Sequence, residues 1–211
     1  MPVEPAPKSC YWELTRRCQL GCLHCRSSSG PDVTDPDLEA AFRIADQLIA
    51  AKTRLVVLTG GEPTLFPHWE RVAERLARGG CLVRLFTNGV GFTRGIFERA
   101  LAAGVTQFAV SLDGPRFLHD RLRPSADADI PSTYDEAAAA IDAVARTEWK
   151  LRVVTQVNRL NADALDQTYE ILLAMNVKRW QVHLCQMTGR ARDHRDRLMS
   201  DPADLEKSSA C

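Results

Sequence analysis

Cys18, Cys22 and Cys25 fall within the single run CQLGCLHC, with the spacing C-x3-C-x2-C. The run follows directly on an apolar stretch, Tyr11 to Leu14, that reads as a strand. Three thiolates on one short loop can hold three corners of a cubic iron–sulfur cluster. The fourth iron is then left without a protein ligand and is open to a small molecule, whereas a four-cysteine site would be closed. A chain that carries such a loop has to fold so that the loop lines a cavity.

The 211 residues are enough for one large domain, and 45% of them are apolar, as in a globular protein. Lys plus Arg and Asp plus Glu are 27 each. That balance speaks against a general nucleic-acid or anionic-membrane binder. No apolar run reaches the ~18 residues of a membrane span. The opening MPVEPAPKSC has no apolar segment of the secretory kind. Seven cysteines, three of them clustered, fit a metal site in the reducing cytoplasm better than a disulfide framework.

Apolar, β-rich runs alternate with helical patterns, which predicts βα units and a parallel sheet. The predicted strands are Tyr11–Thr15, Arg54–Thr59, Leu82–Thr87, Gln107–Leu112, Leu151–Val157 and Trp180–Met187. Several are near-continuous runs of Val, Leu and Ile, as expected for strands buried on both faces. Five helices are expected between them. Asp35 and Pro36 read as N-cap and first-turn proline of the first, and Gly104 as the C-terminal stop of the third. Ser132 with Asp135 reads as a capping box, and Asn161 as the cap of the last helix. Six βα units do not make the eight of a closed barrel, so the predicted fold is a partial (βα)6 TIM-like barrel of parallel strands. It would occupy residues 10–192, after a tail at 1–9 and before a polar tail at 193–211.

In either a full or a partial barrel the acting residues sit in loops at the C-terminal ends of the strands. The cysteines follow strand one, Gly60-Gly61-Glu62-Pro63 strand two, Thr87-Asn88-Gly89 strand three, and Ser111-Leu112-Asp113-Gly114 strand four. Paired glycines let a backbone approach a ligand closely. Ionised Glu62 only accepts hydrogen bonds, which suits an ammonium, and Pro63 stiffens the loop. Taken singly, these motifs have plainer readings. GGEP and SLDG can be ordinary turns, and the cysteines with His24 can form a zinc site.

In this order, WELTRRCQLGCLHC, TGGEP, TNG and SLDG resemble the radical S-adenosylmethionine superfamily over roughly residues 10–192. They resemble most the branch that modifies peptides or matures cofactors and carries a C-terminal cluster-binding extension called SPASM. Arg26 departs from the pattern, standing where such enzymes often have Tyr. The resemblance implies that Cys18, Cys22 and Cys25 hold a [4Fe–4S] cluster. It implies that the open iron is chelated by the amino and carboxylate groups of S-adenosylmethionine. Gly60, Gly61, Glu62 and Pro63 would line the methionine amino group, Ser111, Asp113 and Asn158 would approach the ribose or carboxylate, and Leu184 to Met187 would pack near adenine. One electron would then cleave the sulfonium bond, and the 5′-deoxyadenosyl radical would take hydrogen from a peptide or small-molecule substrate. An external electron donor is implied.

The SPASM extension is missing from this chain, which ends soon after strand six. Three readings follow: a fragment, a compact enzyme that borrows its substrate site from a partner protein, or a non-catalytic iron–sulfur or zinc module acting with a partner. Cys10, Cys81 and Cys185 read as core or inert thiols, and Cys211 is terminal. His119, Asp120, Arg121 and Arg123 read as a polar loop before the fourth predicted helix. Arg190 and Arg192, in GRAR, read as a solvated charge run.

Overall fold

In the computed structural model, which describes residues 7–147 and 150–199, every predicted strand forms. The strands are β1 (Ser9–Thr15), β2 (Leu55–Gly60), β3 (Leu82–Thr87), β4 (Val105–Ser111), β5 (Lys150–Val157) and β6 (Trp180–Leu184). They pair in chain order, all parallel, from β1 at one edge to β6 at the other. Parallel neighbours need a crossover, and a helix supplies one between each pair. Six parallel strands alternating with helices make the partial, barrel-like α/β sheet expected from the sequence. None of the described helices is long and apolar enough to cross a membrane.

The helices are α1 (Leu38–Ala50), α2 (Trp69–Arg78), α3 (Arg94–Ala102), α4 (Arg116–Leu122), α5 (Thr133–Ala145), α6 (Leu165–Ala174), α7 (Arg190–Asp193) and α8 (Arg195–Leu198). Side chains alternate across a strand, so each strand gives every second residue to the helix layer. Leu14, Val56, Leu58, Val83, Leu85, Phe108, Val110 and Val153 form that inner row. They meet Ala41 and Ala45 of α1, Trp69, Val72 and Leu76 of α2, Phe97 of α3, Ile141 and Val144 of α5 and Leu172 of α6. Cys81 is buried in the same core, as expected. Phe108 sits at its centre, with ring centroids 5.1 Å from Phe97 and 6.2 Å from Phe92.

Helix ends differ from expectation where side chains found tertiary partners. Asp37, not Asp35, caps α1, accepting from Ala40 N at 2.6 Å. Asp35 is engaged elsewhere, with the Thr15 hydroxyl and with Arg17 at 2.9 Å. Ser132 caps α5 by accepting from Asp135 N, but Asp135 pairs outward with Arg116, so the capping box is half made. Asn161 caps no helix. Its side chain accepts from Asn158 N at 2.8 Å and donates to Asp113 O at 2.7 Å, and a 3-10 turn at Ala162–Ala164 leads into α6.

Two stretches read as irregular are helical. Residues 116–122 form α4, because His119 and Leu122 are buried against the end of β4. Beyond Met187 the chain makes α7 and α8, whose Ala191 and Leu198 are buried with Leu23 and Leu122. The polar composition of that stretch hid two small buried residues at one end each. The remainder of the polar tail, including Cys211, and residues 1–6 lie outside the described residues.

Phe108→Ala should lower the unfolding free energy by about 3–5 kcal/mol in urea titrations, because it empties the centre of the core. The same change at Phe117, which is 67% exposed, should stay within ~0.5 kcal/mol.

Candidate active site

The C-terminal ends of all six strands open onto one cavity of about 1290 Å³. Its walls include Cys18, Cys22 and Cys25 after β1, Gly60 and Gly61 at the end of β2, Asn88 after β3, Ser111 at the end of β4, Gln156 on β5 and Leu184 on β6. The sequence motifs therefore converge in space as well as in topology.

Backbone contacts shape the cysteine loop. Cys18 N donates to Gly30 O at 2.9 Å, closing the loop's base. Gly21 N donates to Pro124 O at 2.8 Å and Leu23 N to Leu122 O at 2.9 Å, which ties the loop's middle to the end of α4. The sulfurs already accept hydrogen bonds: Cys18 Sγ from Leu20 N at 3.4 Å and Asn88 Nδ2 at 3.7 Å, and Cys25 Sγ from Ser29 N at 3.4 Å. Burial pushes the Cys18 thiol up to about 12, and the nearby Cys22, Glu62 and Cys25 push the same way against a favourable Leu20 N–H. Burial also raises Cys22, opposed by Arg123 and Arg190.

Thiols so placed ionise readily only when a cation joins them, which is what cluster iron supplies. All three are free of disulfides. Among the described residues no three His, Cys, Asp or Glu side chains converge closely enough to grip one metal ion. A four-iron cube asks for something else, one thiolate at each of three separate corners. The chain's donor set fits that demand. His24, weighed as a fourth zinc ligand, is turned the other way, with Nε2 3.3 Å from Asp113 Oδ2.

The glycine pair does a different job from the one expected. A Cβ at Gly60, where φ is +139°, would lie 2.0 Å from Thr15 O, and one at Gly61 would lie 2.1 Å from Arg17 O. Their bareness admits the β1 backbone rather than a ligand. Gly61 N then donates to Thr15 O and Glu62 N to Arg17 O, both at 2.8 Å, fixing the start of the cysteine loop. Glu62 and Pro63 stand behind the cavity wall. The Glu62 carboxylate is fully buried and accepts from Asn88 N at 2.8 Å and the Thr64 hydroxyl at 2.8 Å, so it stitches the β2 loop to the β3 loop. Burial raises its pKa against those donors.

Asp113 and Asn158 also stand behind the wall, while Ser111 faces it. Asp113 has no exposure and is saturated. Its carboxylate accepts from Arg123 Nε at 2.6 Å and from Gln156 N at 2.8 Å, and lies against His24. Burial pushes it up, but Arg123 and His24 outweigh this and hold it down to about 2. Asn158 shapes its own turn, accepting from Leu160 N and donating to Gln156 O. The residue that reaches the cavity in place of Asp113 is Arg123, 7% exposed, its charge reinforced by Asp113 and Cys22 against burial. Sequence reading put Arg123 in a polar loop and Asn88 in a structural turn. The TNG and His-Asp-Arg-x-Arg runs were visible, but not which of their side chains face inward. Arg190 likewise lines the cavity.

The family model described as the radical SAM superfamily matches residues 12–146. The chain is 30% identical over 205 residues to an AdoMet-dependent heme synthase of Methanosarcina barkeri, covering 96% of this chain and 56% of that one. It is 30% identical over 167 residues to the mycofactocin maturase MftC of Mycolicibacterium smegmatis, covering 77% and 41%. Its fold is similar to that of Streptococcus suis SuiB, solved bound to the precursor peptide SuiA, with a TM-score of 0.77, 16% identity and 95% and 44% coverage. SuiB is also solved bound to S-adenosylmethionine, with a TM-score of 0.74. The chain spans about half the length of the curated relatives it matches.

Gly61→Ala should cost about 3 kcal/mol or more in denaturant titrations, since the backbone it meets cannot swing aside. Gly30→Ala meets nothing within 4 Å and should stay within ~0.5 kcal/mol. His119 supplies a pH prediction. Its Nδ1 accepts from Asp113 N at 3.1 Å, and burial followed by Arg123 lowers its pKa to about 4. As pH falls below ~6.5 the unfolded chain takes this proton first, so stability should fall by about 2 kcal/mol between pH 7 and pH 5 from His119 alone. His119→Gln should flatten the profile by that amount, read as the difference in denaturation free energy at the two pH values. Together the family match and the converging rim place this chain in the radical SAM superfamily.

Proposed function

We propose that this chain is the catalytic core of a radical S-adenosylmethionine enzyme acting on a peptide or a cofactor precursor. The observation that carries the reading is the placement of Cys18, Cys22 and Cys25 on the wall of a cavity that all six strand ends share. In this reading the three thiolates hold a [4Fe–4S] cluster. When bound, the cluster and S-adenosylmethionine supply one-electron cleavage of the sulfonium bond and a 5′-deoxyadenosyl radical that takes hydrogen from the substrate.

The chain's own residues bind and orient. Ser111 offers a hydroxyl to the cofactor's ribose or carboxylate, and Arg123 offers a cation suited to the carboxylate. Asp113 acts through Arg123, holding its Nε and leaving the rest of the guanidinium free for the cavity. Gly60 and Gly61 bring backbone groups to the wall, while Glu62 and Pro63 fix the turn behind them. Asn158 holds the shape of the β5 loop. Leu184 and Gln186, on the far wall, stand where an adenine ring would lie.

The mycofactocin maturase and the SuiB complex with a precursor peptide support a peptide substrate, and the heme synthase supports a cofactor precursor. We infer an external electron donor and a cytoplasmic setting, where thiols stay reduced. Substrate recognition beyond this core would come from further sequence or a partner protein, since the relatives are about twice as long. That same shortness is what favours the second reading, a metal-binding module without catalysis.

Anaerobic reconstitution with iron and sulfide, then dithionite and S-adenosylmethionine, tests the choice. The chain should form 5′-deoxyadenosine, and Cys22→Ala should abolish it. A cluster that binds without releasing that product would sink the catalytic reading in favour of the binding module.

A further inference from the structure

The chain after β6 turns back onto the cysteine loop. Gly189 has φ +56°, and a Cβ there would lie 2.2 Å from Arg26 O and 2.5 Å from Cys25 O. Only glycine allows this approach. The next residue uses it fully. Arg190 N donates to Cys25 O at 2.9 Å, Nε to Cys22 O at 3.0 Å and Nη1 to Ser29 O at 2.5 Å. One residue therefore grips carbonyls at two of the three cysteines and at the loop's far end, from 168 positions away in sequence. Behind it, Ala191 is fully buried with Leu23 and Leu122, so the seam is packed on its other side too.

All three acceptors are uncharged carbonyls. Among the described residues no carboxylate pairs with Arg190. Its charge is left to act on the nearest polarisable group, the Cys22 thiol, where it opposes the effect of burial. A guanidinium can bridge two carbonyls in a fixed fork, and a lysine ammonium cannot hold the same geometry. Positive charge beside a cluster favours its reduced, more negative form and so raises its potential.

We propose that Arg190, seated by Gly189, is a positioning residue that clasps the Cys22–Ser29 stretch in its metal-binding shape and sets a fixed positive charge beside Cys22. The proposal rests on the reading of the cysteines as cluster ligands. It makes the strand-six rim part of the cluster site, so the loop's shape depends on the end of the sheet farthest from it.

The test compares the native chain with Arg190→Gln, Arg190→Lys, Gly189→Ala and the exposed control Arg192→Gln. In the metal-free proteins, the rate of Cys25 alkylation by iodoacetamide reads loop closure. In the reconstituted proteins, iron loss to bathophenanthroline reads retention, and a dithionite titration followed by electron paramagnetic resonance reads the midpoint potential. Arg190→Gln should keep its far-UV circular dichroism, alkylate and lose iron about tenfold faster, and show a more negative potential. Arg190→Lys should restore the potential but not retention. Gly189→Ala keeps the charge and pries the seam, so it should lose iron fast at near-native potential, and it stands in should Arg190→Gln not fold. Arg192→Gln should match the native chain. Native alkylation and retention in Arg190→Gln, or a lowered stability with an unshifted potential, would overturn the proposal. If the native chain takes up no iron, the cluster reading fails, while the alkylation rates still decide the clasp.

Discussion

The buried ion pair between Asp113 and Arg123 holds the most structure per atom. Asp113 leaves the end of β4 with no exposure and accepts from the α4 end through Arg123 and from β5 through Gln156 N. Its backbone N–H donates to His119 and its carbonyl accepts from Asn161. His24 brings the cysteine loop to the same carboxylate. Two strands, one helix and two loops thus share one charge. Taking such a pair out of water costs several kcal/mol, and removing one partner costs about 3–5 kcal/mol because the other is stranded. A buried pair is therefore a poor way to gain stability. Its use here is to aim the remaining guanidinium donors at the cavity and to fix where α4 begins and ends.

The cysteine loop is held in the same spirit, by many backbone contacts and few of its own. The glycine pair lets β2 reach the backbone of Thr15 and Arg17. The α4 end supplies Leu122 O and Pro124 O, and the segment after β6 supplies Arg190. The loop carries no helix or strand that would stiffen it from within. Its shape is imposed from three directions by elements that are themselves anchored in the core. A metal site built this way loses little freedom on binding, since the loop is ordered before the metal arrives.

Much of the fold was legible. Six strands appeared where Val and Leu runs stood, because a parallel sheet covered by helices needs apolar residues along whole strands. Gly104 ended its helix as read, with φ +83°. The errors share a cause. Asp35 and Asn161 look like caps, but long-range partners claimed their side chains, and a cap is worth only about 1 kcal/mol. Residues 116–123 look like a polar loop because His119, Arg121 and Arg123 are ionisable. Burial of His119 and Leu122 made a helix of them. The GRAR run looks solvated because local sequence carries no sign of the carbonyls that Arg190 would meet.

By itself the sequence determined the order of elements, the parallel topology and the rim on which the motifs fall, because these follow from periodicity, chain connectivity and the handedness of βα crossovers. It also determined that three thiols would share one loop. Which side chains of each motif face the cavity was decided only in three dimensions. Ser111, Asn88, Arg123 and Arg190 point in, and Glu62, Asp113 and Asn158 turn back into the wall. Neighbours in sequence do not set that choice. It depends on which buried donors and charges, drawn from elements far apart in the chain, are left to be satisfied once the sheet has closed around them.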